Sequence, residues 1–95
     1  DKPLYTSILS VAEFDLWAKR NQLDSRNHLT FIEENSGILY LDKDICLLAS
    51  KLKFESSVKD FGLIDCLIYA TALTYNLTLV SGDPHFKNLK NTLFI

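Results

Sequence analysis

At 95 residues, 47% hydrophobic and with only three Gly and two Pro, the chain has the make-up of one folded domain with a single core rather than a linker or a disordered tail. A formal charge of −2 excludes binding of a polyanion through bulk positive charge, so contact with nucleic acid would need a local patch or a bridging cation. No apolar run reaches the roughly 18 residues of a membrane span and Asp1-Lys2-Pro3 is no secretory signal, so a soluble domain without membrane association is expected.

Residues 5 to 9, Tyr-Thr-Ser-Ile-Leu, are apolar and β-branched enough for a short strand. Ser10-Val11-Ala12-Glu13 has the spacing of a capping box, with a helical stripe through Phe14, Trp17 and Ala18 to about Gln22. A turn at Asp24-Ser25 leads to a second helix over 26–35, carrying Leu29, Ile32 and Phe31 inward and stopped at Gly37 as its C-terminal cap. Ile38 to Leu41 reads as the next strand, and Asp42 as the cap of a helix whose Ile45, Leu48, Ala49 and Leu52 recur at i, i+3, i+4 and i+7. Glu55 to Gly62 reads as a polar loop, and Leu63 to Tyr75 as a helix apolar nearly all round, hence buried. Asn76 turns the chain into a strand at 77–80; Pro84 to Leu89 is a short helical turn, and Thr92 to Ile95 a final strand. The β-α-α-β-α-α-β-α-β order implies an α/β fold with a mostly parallel sheet and helices on its faces.

Cys46 and Cys66 fit no metal-binding spacing and are expected as buried free thiols in a reducing, cytoplasmic setting. The absence of methionine and the start at Asp1 lead to the expectation of a preceding N-terminal segment.

In an open parallel sheet, ligands gather beyond the carboxyl ends of the strands. Glu13 follows the first strand by one helical turn, and Asp83 follows the third strand directly. Asp65 opens a helix that returns through Asn76 into that third strand, which places its N-terminus over the strand's carboxyl end. Clustered carboxylates repel and are costly to desolvate, so three acids on one edge imply a cation between them. All-oxygen ligands suit Mg²⁺ or Mn²⁺, and such an ion is equipment for phosphodiester hydrolysis. Each acid also has a purely structural reading: Glu13 as partner of Ser10 in the capping box, Asp83 as an N-cap before Pro84, and Asp65 as a first-turn acid favoured by the helix dipole.

Asp42 is read as a cap and Asp44 as solvated. His85 lies two residues from Asp83 and could meet a phosphate or a metal-bound water, though a lone His in a turn is more often solvated. Tyr69 is read as core, Lys87 and Lys90 as flanking cations able to steer a phosphate backbone, and no His-acid pair stands at a spacing that would activate Ser7 or Ser10.

The segment "LIDCLIYATALTYNLTLVSGDPHFKNL", residues 63–89, resembles the carboxyl half of the PIN-domain family, with its helix-opening Asp in a "D-x-x-I-x-A-T-A-L" kind of helix and its "T-x-D-x-x-F" turn. "TSILSVAEF", residues 6–14, resembles that family's second strand and following Glu. The resemblance implies a single three-layer α/β/α domain over 1–95 and a metal-dependent endoribonuclease acting on RNA, of a kind often found as the toxin of a toxin–antitoxin pair. It makes Glu13, Asp65 and Asp83 metal-binding acids for Mg²⁺ or Mn²⁺. Nothing before Tyr5 matches the family's first, central strand and its Asp, which implies a fragment with weak or no activity alone, a homodimer in which a second copy fills the gap, or a sheet whose remaining strands pair directly around it. An antitoxin protein and RNA are the partners implied. A non-catalytic interaction module on the same fold is the alternative, and a receiver-like phosphate acceptor is disfavoured because no Lys follows a late strand as that chemistry requires.

Overall fold

The computed structural model describes residues 3–56 and 61–95, and the chain forms two compact units, Asp1–Tyr40 and Leu41–Ile95. The order of elements follows the expected alternation.

The first unit holds β1 (Tyr5–Ser7), α1 (Ile8–Arg20), α2 (Arg26–Asn35) and β2 (Gly37–Leu39), with β1 parallel to β2 in the register Thr6 to Ile38. Ser7 ends the strand and caps the helix, its backbone extended and its hydroxyl accepting the Leu9 N–H at 3.1 Å. The expected capping box is therefore displaced. The Ser7 hydroxyl meets the first orphan N–H groups where the extended segment ends, so the helix starts at Ile8 and Ser10 falls inside its first turn. Glu13 is consequently not an N3 residue.

Helix α1 ends on Gln22 in the left-handed region (φ 58°), with Leu23 N–H donating to Ala18 O at 2.8 Å and Gln22 N–H to Lys19 O at 3.1 Å. That is the paired bonding of a Schellman motif. Two further expectations are corrected here. Phe31 is 65% exposed, because it stands two positions from Leu29 and so on the far side of α2 from the half-buried Leu29 and Ile32. Gly37 is not a helix cap but the first residue of β2; α2 is closed by Ser36, whose N–H and hydroxyl both donate to Ile32 O, at 2.9 and 2.7 Å. Gly37 has another task, since a Cβ there would sit 3.0 Å from the Tyr5 ring.

The second unit holds α3 (Lys43–Glu55), α4 (Leu63–Thr74), β3 (Leu79–Ser81), a 3₁₀ turn (Pro84–Phe86) and β4 (Thr92–Phe94), with β3 parallel to β4 in the register Val80 to Leu93. Asp42 caps α3 as expected, its Oδ1 accepting the Ile45 N–H at 2.8 Å. Helices α3 and α4 pack against each other through Ile45 and Ala49 on one and Cys66 and Ala70 on the other, each pair spaced i, i+4 and all fully buried. Phe61, Tyr69 and Phe86 complete this core. Of the two thiols expected inside, Cys66 is buried but Cys46 is exposed, since it is turned about 100° from Ile45 around α3. Part of the loop expected over Glu55–Gly62, residues 57–60, lies outside the described residues.

Left-handed Asn88 (φ 70°) and Asn91 (φ 59°) fold the segment between β3 and β4 tightly enough for a parallel crossover without a full helix. Among the described residues no helix is long and apolar enough to cross a membrane.

Candidate metal centre

Helix α4 begins after Gly62, which offers no side-chain cap, so Asp65 in the first turn supplies the negative charge that this N-terminus otherwise lacks. The other end of α4 closes in a Schellman motif: Asn76 is left-handed (φ 53°), Asn76 N–H donates to Leu73 O at 3.1 Å and Leu77 N–H to Ala72 O at 2.8 Å. The chain is thereby sent back along the helix into β3, whose carboxyl end delivers Asp83 to the neighbourhood of Asp65.

At Asp83 the backbone is extended, and Pro84 occupies the first position of the 3₁₀ turn, where its missing N–H costs nothing. Asp83 Oδ1 accepts the His85 N–H at 2.9 Å, while Asp83 N–H donates to Ser81 Oγ at 3.0 Å. This turn folds the His85 ring back over the carboxylate that caps it. His85 Nδ1 lies 3.0 Å from Asp83 Oδ1 and 3.9 Å from Asp65 Oδ2. One donor atom from each of Asp65, Asp83 and His85 lies within 4.8 Å of the other two.

His85 Nδ1 is shut off from solvent yet makes no hydrogen bond, despite its nearness to Asp83 Oδ1. The distance is that of a hydrogen bond and the direction is not. The ring plane is held by Phe61, stacked on it at 6.4 Å between centroids and 26° between planes. Phe61 in turn meets Phe86 edge-on at 5.6 Å. An orphaned buried nitrogen facing two carboxylates fits a divalent cation: the carboxylates supply charge, and the nitrogen a lone pair that nothing else uses.

The neighbouring groups on α4 remain protonated. Burial pushes the Cys66 thiol up, and burial also raises the Tyr69 phenol, whose hydroxyl donates to Lys90 O at 2.7 Å. Neither is equipped to act as a nucleophile. Tyr69 is core, as expected.

Of the three acids expected to bind metal, Asp65 and Asp83 come together in the second unit. Glu13 lies in the first unit, on an exposed position of α1. His85, read from the sequence as more often solvated, is half-buried beside both carboxylates. Its signal was available in Asp-Pro-His: an Asp cap bonding the N–H two residues on brings the side chain of that residue back beside the carboxylate.

No curated protein matches the chain in sequence. A solved toxin–antitoxin complex from Klebsiella pneumoniae contains a chain similar to this one, with a TM-score of 0.72 and 23% sequence identity over 92% of this chain and 69% of that one. At that identity the likeness shows a shared fold, and it bears out the α/β class read from the alternation of elements. The model of the PIN domain matches residues 1–91. With almost the whole chain inside that match, the protein belongs to the PIN-domain family.

Proposed function

We propose that this chain carries the metal-binding half-site of a divalent-metal-dependent endoribonuclease, with Asp65 and Asp83 as metal-binding acids in the second unit and Glu13 as a third in the first. The observation that supports this most is the convergence of Asp65, Asp83 and His85 around an unpaired buried nitrogen, in a chain of a family of nucleases. When bound, Mg²⁺ or Mn²⁺ would neutralise charge on a phosphodiester and make water more acidic. The chain's own residues do the rest. Asp65 and Asp83 present the anionic pair, the Schellman turn at Asn76 and the Asp83 cap hold them at a fixed separation, and Lys87 and Lys90 offer cations beyond the 3₁₀ turn.

The toxin–antitoxin neighbour supports a protein antitoxin as a partner. The first unit offers a place for one: a cleft of about 250 Å³ between Phe14, Trp17, Leu23 and His28, with Phe14 stacked on Trp17 at 6.1 Å. A homodimer in which a second copy completes the sheet belongs to the same proposal, as does RNA as the substrate.

The test pairs calorimetric titration of the chain with MnCl₂ and cleavage of a fluorescent single-stranded RNA. Binding that Asp65→Asn and Asp83→Asn each abolish, with any cleavage dependent on the metal, is expected. A chain that ignores Mn²⁺, with variants indistinguishable from it, would make it a non-catalytic interaction module instead.

A further inference from the structure

We propose that His85 contributes Nδ1 as a nitrogen ligand to the same cation, so that the site selects Mn²⁺ and its later neighbours over Mg²⁺. The inference rests on the metal-binding reading above and goes beyond it, because a site of carboxylates alone has no such preference.

Three observations carry it. First, the contact between His85 Nδ1 and Asp83 Oδ1 spans 3.0 Å without being a hydrogen bond. An octahedral ion with ligands at about 2.1 Å has adjacent ligands about 3.0 Å apart, so an unbonded pair at this separation has the spacing of two neighbouring corners. Second, the plane of the ring and the turn that carries it are set. Phe61, 4% exposed, stacks on the imidazole, and the backbone N–H of His85 is itself tied to Asp83 Oδ1 at 2.9 Å. Third, the nitrogen is shut off from solvent and no hydrogen bond satisfies it.

Chemistry then sets the preference. Mg²⁺ is a hard ion that takes oxygen and keeps its waters, whereas imidazole favours the first-row transition ions in rising order from Mn²⁺. Of the two ring nitrogens, Nδ1 is the one that faces both carboxylates, so it is the one placed to ligate. A single residue, Pro84, separates Asp83 from His85, so one 3₁₀ turn would supply both a hard oxygen and a softer nitrogen to one ion.

The experiment is pulsed electron paramagnetic resonance of Mn²⁺ titrated into the chain, with a parallel calorimetric comparison of Mn²⁺ and Mg²⁺. A ¹⁴N coupling of directly bound imidazole is expected, converting to the ¹⁵N pattern when the chain is made with ¹⁵N-histidine. It should persist in His28→Asn and vanish in His85→Asn, whose Mn²⁺-over-Mg²⁺ preference should fall about tenfold. The isotope arm needs no substitution, so a His85→Asn that folds poorly leaves the question answerable. Mn²⁺ bound through Asp65 and Asp83 with no nitrogen coupling would overturn this inference and leave the metal reading standing. No bound Mn²⁺ at all would overturn both.

Discussion

Replacing Asp65 with Asn should make the metal-free protein more stable and the metal-loaded protein less so, and the sign reversal is the diagnostic. The donor atoms of Asp65 and Asp83 lie within 4.8 Å of each other, where two unit charges repel by about 0.9 kcal/mol in bulk water and by about 3.5 kcal/mol at an effective dielectric constant of 20. The side chains are 23% and 39% exposed, which draws the value toward the lower part of that range, about 1–2 kcal/mol. Asn also forfeits the attraction of the α4 N-terminus for a negative charge, about 0.3–1 kcal/mol. The net gain in EDTA is then about 1 kcal/mol, or roughly 4–8 °C in Tm for a chain of this size. With Mn²⁺ at about 100 times its dissociation constant, the wild-type chain gains about 2.7 kcal/mol by mass action and the variant gains nothing, so the order inverts. Thermal unfolding by circular dichroism at pH 8, with EDTA or MnCl₂, reads both arms. If Asp65→Asn lowers Tm in EDTA, or if Mn²⁺ lifts both proteins equally, the reasoning from repelling carboxylates is wrong.

Ile45 is fully buried between α3 and α4, so Ile45→Ala should cost about 2–5 kcal/mol and be visible as a lower urea midpoint for the loss of helical signal. Asn76 holds φ 53° in the turn that aims Asp65 and Asp83 at one place; Asn76→Ala should cost about 1–2 kcal/mol and weaken Mn²⁺ binding by calorimetry, while Asn76→Gly should preserve both. The Arg26 guanidinium, bonded to Asp24 through its side chain and its backbone N–H, holds that carboxyl at about 2 against an ordinary 3.8. A depressed folded-state pKa gives stability that is complete above 3.8 and lost as pH falls toward 2, so Asp24→Asn should lower Tm slightly at neutral pH and flatten the acid limb of a pH–Tm profile, the two proteins converging toward pH 2.

The order of elements, the apolar stripe Ile45–Leu48–Ala49–Leu52 and the helix from Leu63 were legible because each is written in local periodicity and cap chemistry, although the expected burial of that helix holds from Cys66 onward and not at the exposed Leu63 and Ile64. Boundaries failed where two hydroxyls competed for one job. Ser7 and Ser10 both precede apolar helical sequence, and only the end of the β1 pairing decides that Ser7 takes the cap. Gly37 misled for a related reason: glycine past a helix suggests a left-handed cap, but here its bare Cα makes room for the Tyr5 ring across the β1–β2 pair, a contact from thirty-two positions away that no local pattern contains. Asp65 and Asp83 could be brought together on paper because helix length, the Asn76 turn and strand direction form one continuous local chain of inference. His85 needed the geometry of a three-residue turn, finer than any periodicity.

That turn also dissolves the opposition between structural and functional readings of Asp83. A carboxylate has two oxygens and about four lone-pair directions, and the cap takes one of them: Oδ1 accepts the His85 N–H, as a structural Asp should. The cap is what fixes the carboxylate's orientation, and the same bond, by closing the turn, brings Nδ1 to 3.0 Å. A cap that merely ended a strand would leave the next side chain in solvent; here the following ring is pinned by Phe61, with its nitrogen buried and unpaired. Glu13 stands differently: with Ser7 as the cap, it is not the N3 partner of Ser10, and its carboxylate lies at an exposed position in the second turn of α1.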